Sequence, residues 1–106
     1  MNDKREARFA RMRDARHTAI LEAAIAEASE KGFDGVRQAA VAKRAGVAKG
    51  GITHAFGSMA ALKDCIMVEA VARFMPKIVA QGLAAGHPIA ASAPASLRSA
   101  AARAIS

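Results

Sequence analysis

Alanine occupies 29 of the 106 positions, and this abundance constrains the fold more than any other feature of the chain. Alanine has the best intrinsic helix propensity, and β-branched residues are sparse and scattered, so the backbone is biased to helix and an all-β architecture is excluded. The same abundance limits the core. Burying an alanine removes little apolar area at about 25 cal/mol per Å², and the only aromatic side chains are four Phe. The core must therefore rest on a few Ile, Leu, Val, Met and Phe positions, with its margin of stability open to a contribution from a second subunit or a ligand. The length suits one domain, which argues against a multidomain enzyme.

Sixteen Lys and Arg stand against nine Asp and Glu, a formal net charge of +7, which suits a polyanionic partner such as nucleic acid or an acidic membrane surface. From charge alone, a helical protein with an incidental basic excess explains the number as well. The distribution is more informative. Residues 1–16 carry six basic and three acidic groups, and residues 17–34 are net acidic through Glu22, Glu27, Glu30 and Asp34. Residues 35–63 then hold Arg37, Lys43, Arg44, Lys49 and Lys63 with no acid at all.

Other chemistries find little support. The single Cys65 allows no internal disulfide or thiolate metal cluster and reads as a small core residue in a reducing cytoplasm, the expected location. His17, His54 and His87 show no paired-ligand spacing, so no metal or other cofactor is expected. No apolar run reaches the ~20 residues of a bilayer span, and Glu22 and Glu27 interrupt what would be a signal-peptide core. No activated nucleophile or phosphate-binding glycine loop of known spacing is present, so an enzyme is not expected.

Periodicity organises the chain into helices. Ile20, Leu21, Ala24 and Ala28 recur three and four apart, which predicts a helix from about Arg16 to Lys31 ended by Gly32, with Phe33 folding back on it. Asp34-Gly35 reads as a turn. A short helix over Gln38 to Ala45 is stopped by Gly46, and a third element over Lys49 to Phe56 places Ile52 and Phe56 on one face. Gly50 and Gly51 cost about 1 kcal/mol each in helix propensity, which calls for a close approach of backbone to another helix or to a phosphate. Ser58 caps a longer helix whose stripe runs through Met59, Leu62, Ile66, Ala70, Phe74 and Ile78. Pro76 should kink that helix or end its regular part near Met75. Beyond it the Ala, Ser, Gly and Pro of residues 84–106 predict a low-complexity region, poorly ordered in isolation, with a further helix starting at Ser96 through Leu97, Ala101 and Ile105.

Two short helices joined by a glycine turn, the second bearing polar residues, form the helix-turn-helix pattern that sets a recognition helix into the DNA major groove. Ala42, Gly46, Val47 and Ile52 meet its needs for close packing, a turn and an apolar lock. The run Ile20-Leu21-Glu22-Ala23-Ala24, then Gly32-Phe33, then Val41 to Gly50, and finally Phe56-Gly57-Ser58 with Leu62 resembles the DNA-binding domain of the TetR/AcrR transcriptional regulators in order and spacing, over about residues 16–70. The resemblance implies an all-α fold with a three-helix, homeodomain-like head and a linking fourth helix. It also implies repression by a dimer on a palindromic operator and a larger helical domain that binds an inducer. Members of the family are ordinarily much longer, and residues 76–106 are too few for an inducer pocket, so a small-molecule effector is not expected.

The expected layout is a basic arm or helix extension over residues 1–15, the DNA-binding domain with its linking helix over 16–75, and an Ala-rich remnant of a helical region over 76–106. The expected DNA-contacting set is Arg37, Gln38, Lys43, Ala48, Lys49, Gly50, Thr53 and His54, with the recognition helix at about residues 49–55. Lys49 can reach a phosphate or a guanine edge, and Thr53 and His54 face away from Ile52 and Phe56. Arg37 and Lys43 suit phosphates. Relative to the family, Arg37 and Gln38 stand where threonines usually open the second helix. Ala48 replaces a capping serine or threonine, Thr53 a frequent tyrosine, and Met59 a lysine. Each replacement removes a cap or a backbone contact. Arg5, Arg8, Arg11, Arg13 and Arg16 form an arm able to track the backbone or enter the minor groove, or else a solvated basic tail. Phe74, Ile78 and Leu83 are a candidate surface for a second copy or a related regulator. Two alternatives remain: an interaction protein pairing with a full-length relative through the fourth helix, and a basic binder of membrane surfaces.

Overall fold

The computed structural model describes residues 3–104, with side chains from Arg13 onward. It holds seven helices and no strand among the described residues: α1 (Asp3–Lys31), α2 (Gln38–Ala45), α3 (Lys49–Phe56), α4 (Met59–Ala72), α5 (Pro76–Ala84), α6 (Pro88–Ala91) and α7 (Ala95–Ala104), with a 3-10 turn at Phe33–Gly35 between α1 and α2. From residue 3 the basic N-terminal segment is continuous with α1. Beyond the side chains of Arg5, Arg8, Phe9, Arg11 and Met12, Ile105 also lies outside the described residues.

The predicted apolar face of α1 buries Ile20, Ala24 and Ala28, joined by Ala23 and Ile25. Phe33 turns inward beyond Gly32 and is 3% exposed. Val41 and Ala42 of α2, Ile52 of α3 and Leu62, Ile66, Met67 and Ala70 of α4 complete the head's core. Polar ties fix the helices around it. Glu27, buried on α1, accepts from Lys31 and from Arg44 of α2, each at 2.8 Å, and Arg44 also reaches Glu30 at 2.7 Å. Lys31 first, then Arg44, holds the Glu27 carboxyl below its ordinary value. At the other end of the head, Arg73 pairs with Glu22 of α1 and with Glu69 of α4.

Gly46 ends α2 with φ 73°, and the amides of Gly46 and Val47 return to the carbonyls of Lys43 and Ala42. This left-handed closure satisfies carbonyls that the helix leaves open and strongly favours glycine. The end of α4 repeats it with a phenylalanine. Phe74 sits at φ 53° while its amide reaches Val71 and the Met75 amide reaches Ala70. The single stripe expected through Met59 to Ile78 is therefore broken: the reversal turns Phe74 outward, 53% exposed, and Pro76 opens a new helix that buries Ile78. Proline fits that first position because its missing N–H is one the helix start leaves unpaired.

The C-terminal region, expected to be poorly ordered in isolation, is helical where it packs against the rest of the chain. Helices α5 to α7 pack on one another and on α4, burying Ile78, Val79, Ala80, Ala90, Ala93, Leu97 and Ala101. Small residues make this possible by letting the helices approach closely. At Gly82 a Cβ would lie 2.4 Å from Met67 Cε and 2.9 Å from Ala90 Cβ. Directional bonds then seat the region on the head. Gln81 Oε1 accepts from the Phe33 amide at 2.6 Å, and His87 Nε2 lies 2.8 Å from Asp64 while its ring meets Phe33 edge-on. His87 Nδ1 accepts from the Ile89 amide, so Nε2 carries the proton donated to Asp64.

Candidate nucleic-acid interface

The surface expected to meet DNA is built by α2, α3 and the turn between them. Ile52, fully buried, points α3's inner face at the core. Lys49 and Thr53, and likewise Gly50 and His54, are four positions apart, and the four lie together on the opposite, exposed face. The start of α3 is locked to the start of α2 because Gln38 Nε2 donates to the Lys49 carbonyl at 2.9 Å. Gln38 thus acts on the geometry of the motif, and its amide nitrogen is engaged. Thr53 Oγ1 donates to the Gly50 carbonyl at 3.2 Å, which anchors that side chain along the helix. Ala48 is the N-cap residue of α3, extended and with no side-chain cap, whereas Ser58 caps α4 by accepting from the Ala61 amide at 3.0 Å.

The glycines opening α3 separate into two cases. A Cβ at Gly51 would make ordinary contact with Val47, and one at Gly50 would meet open space. Helix packing therefore gives no reason for Gly50, and an approaching external group is the remaining one of the two expected from the sequence.

The five cations of the acid-free stretch also divide. Arg44 is bound to Glu27 and Glu30, and the Lys63 ammonium sits 5.2 Å from the centre of the Phe33 ring. Arg37, Lys43 and Lys49 are exposed and enter no ion pair among the described residues. Three cations are thus free to meet an anionic partner, while two hold the fold.

Sequence reasoning missed how α1 meets α3. His17 of α1 stacks on Phe56 of α3 with ring centroids 3.9 Å apart. Beside this stack a cleft of about 220 Å³ is lined by Arg13, Asp14, Arg16 and His17 from α1 and by His54 and Ala55 from α3. Nothing in the residue pattern brings His17 to the recognition helix, because the two segments are distant in sequence and joined only by packing. Arg13 and Arg16 of the expected arm thereby stand next to α3, and neither is ion-paired among the described residues.

The candidate partner surface changes composition. Phe74 is 53% exposed and Leu83 half-buried, but Ile78 is 2% exposed and belongs to the core. Val68, 51% exposed, is a large apolar side chain that sequence reasoning had not singled out. Cys65 is half-buried, and burial, followed by the Asp64 and Glu69 carboxylates, raises its thiol above the ordinary value, the opposite of what a nucleophile needs. Among the described residues no group of three His, Cys, Asp or Glu could hold a metal ion, and no helix is long and apolar enough to cross a membrane.

Comparison with protein families matches residues 20–64 to the model described as "Bacterial regulatory proteins, tetR family". Comparisons with curated proteins and with solved structures returned no match. The matched segment runs from the buried half of α1 through α2 and α3 into the first turns of α4, which is the helix-turn-helix and its supports. Over residues 20–64, then, the α2–α3 helix-turn-helix and its supports in α1 and α4 are similar to the N-terminal DNA-binding domain of the tetR-family bacterial regulatory proteins.

Proposed function

We propose that the protein is a sequence-specific repressor whose α3 enters the major groove of its operator. The observation that carries this reading is the exposed face of Lys49, Gly50, Thr53 and His54, fixed in direction by the buried Ile52 and by the Gln38 tie to α2. A lysine at the start of a helix reaches guanine O6 and N7 or a flanking phosphate, and a threonine offers a methyl group to thymine as well as a hydroxyl. Gly50 leaves room for close backbone approach. Arg37, Lys43 and the arginines of the α1 extension hold phosphates and set register, which carries no sequence information by itself. Ala48 sits at the α3 N-terminus without the hydroxyl of the usual cap, and the phosphate there meets backbone amides only.

The test is a salt titration of binding to random duplex and to the duplex upstream of its own gene. If six to eight phosphates are contacted, affinity falls about 10³-fold or more between 50 and 200 mM salt. Thr53→Ala should flatten the preference between the two duplexes, and Lys43→Ala should weaken both alike. Absence of duplex binding at low salt sinks the proposal. A second reading, pairing with a second copy or a related regulator, is favoured by the exposed Phe74 and Val68. Mass measured across a concentration series tests it.

A further inference from the structure

We propose that the cleft between α1 and α3 is a site for one DNA phosphodiester, and that His54 is a backbone-positioning residue rather than a reader of bases. This inference rests on the DNA-binding reading above and assigns a role within it. The cleft's volume of about 220 Å³ is several times the ~30 Å³ share of one water, ample for a tetrahedral phosphate group. Its polar lining is dominated by donors: the guanidinium groups of Arg13 and Arg16 and the imidazoles of His17 and His54, against the single carboxylate of Asp14. A base edge in the major groove presents at most two adjacent acceptors and carries no net charge, whereas a phosphodiester presents acceptors only and carries a charge. The lining matches the second. Guanidinium groups also bind phosphate through two parallel N–H bonds, and here neither arginine is engaged in an ion pair among the described residues.

The walls are held at constant spacing. His17 stacks on Phe56, so the α1 side of the cleft is fixed to α3 by a ring contact just beyond His54. A phosphate seated there would be gripped by both helices at once, and the α1 extension would be laid along the DNA backbone instead of reaching into a groove. Reading of bases then falls to Lys49 and Thr53, nearer the α3 N-terminus.

The test uses the full chain and two fluorescent duplexes, one selected from a random pool with the wild-type protein and one unselected, with binding followed by anisotropy over a salt series. His54→Ala should weaken both duplexes by the same factor, about tenfold, leaving their ratio unchanged. Arg13→Gln and Arg16→Gln should each lower the salt slope by about 1. The His54→Ala/Arg16→Gln double variant should lose less than the product of the single losses, because both act on one phosphate. Asp14→Asn should tighten both duplexes alike. All four side chains are exposed, and an unchanged melting curve for each variant separates these effects from unfolding. A change in the duplex ratio on His54→Ala, or strictly multiplicative losses in the double variant, overturns the proposal. Failure of the wild-type protein to bind either duplex overturns the DNA-binding reading instead, and that result is obtained before any substitution is made.

Discussion

Phe74 holds a backbone conformation that two glycines hold elsewhere in the same chain. The ends of α2 and α5 close through Gly46 and Gly86 at φ 73° and 74°, while the end of α4 closes through Phe74 at φ 53°. A bulky residue in the left-handed region costs about 1–2 kcal/mol, and the ring recovers little because it is half exposed. Comparing Phe74→Gly with Phe74→Ala removes the ring in both and isolates the backbone. The glycine variant should be the more stable by about 1 kcal/mol, read from urea midpoints, which reverses the usual order of these two residues in a helix. An alanine variant at least as stable would mean that the left-handed closure is not kept in solution. The position was legible in the sequence only as a break near Pro76. The conformation of Phe74 was not, since it follows from the return of two amides to Val71 and Ala70.

Helices α2 and α3 have the boundaries their glycines and periodicity predict, because each is bracketed by residues with strong local preferences. Their starts differ in quality. Ser58 places a hydroxyl oxygen on the Ala61 amide, whereas Ala48 has the extended backbone of a cap residue, φ −68° and ψ 150°, with no side-chain acceptor for the first amides of α3 and only its carbonyl on the Gly51 amide at 2.9 Å. Ala48→Ser should therefore stabilise the protein by about 1 kcal/mol, seen as a higher denaturant midpoint at unchanged slope. No gain would show that those amides are already satisfied in the free protein. A separate tether runs across the motif, where the Gln38 amide donates to the Lys49 carbonyl and leaves the missing cap unreplaced. This bond was not legible in the sequence, because its two partners lie eleven residues apart on either side of the turn.

Around the apolar core, ion pairs tie α1 to its neighbours. Glu22 joins Arg73 at the end of α4, and Glu27 joins Arg44 of α2. Arg73 lowers the Glu22 carboxyl, and Lys31 together with Arg44 lowers that of Glu27, each from an ordinary value of 4.5. A carboxyl depressed in the folded state binds fewer protons there than in the unfolded chain. Its stabilisation is thus complete above 4.5 and is lost as the pH falls through the lowered values. Melting temperature should accordingly hold from neutral pH to about 5 and drop below 4.5. Glu22→Gln and Glu27→Gln should each flatten the drop, and an undiminished acid slope in the double variant would remove these pairs from the account. The pairs belong to the same body as the C-terminal helices, which Gln81 and His87 fasten to Phe33 and Asp64.

Local preferences in the chain are enough to specify an all-helical backbone, four of its helices, the glycine that turns the motif and the cationic stretch that crosses it. These are properties of neighbours within one or two turns, and alanine, glycine and periodic apolar residues express them directly. The order of residues 76–104, the burial of Ile78, the division of cations between fold and surface, and the cleft shared by Arg13, Arg16, His17 and His54 depend on segments far apart along the chain. An Ala-rich tail with weak local patterning gains order by packing against Met67 and Phe33. A lysine or arginine becomes structural or available only according to which distant carboxylate or ring reaches it. Such pairings arise from helix docking, and no stretch of sequence contains both partners.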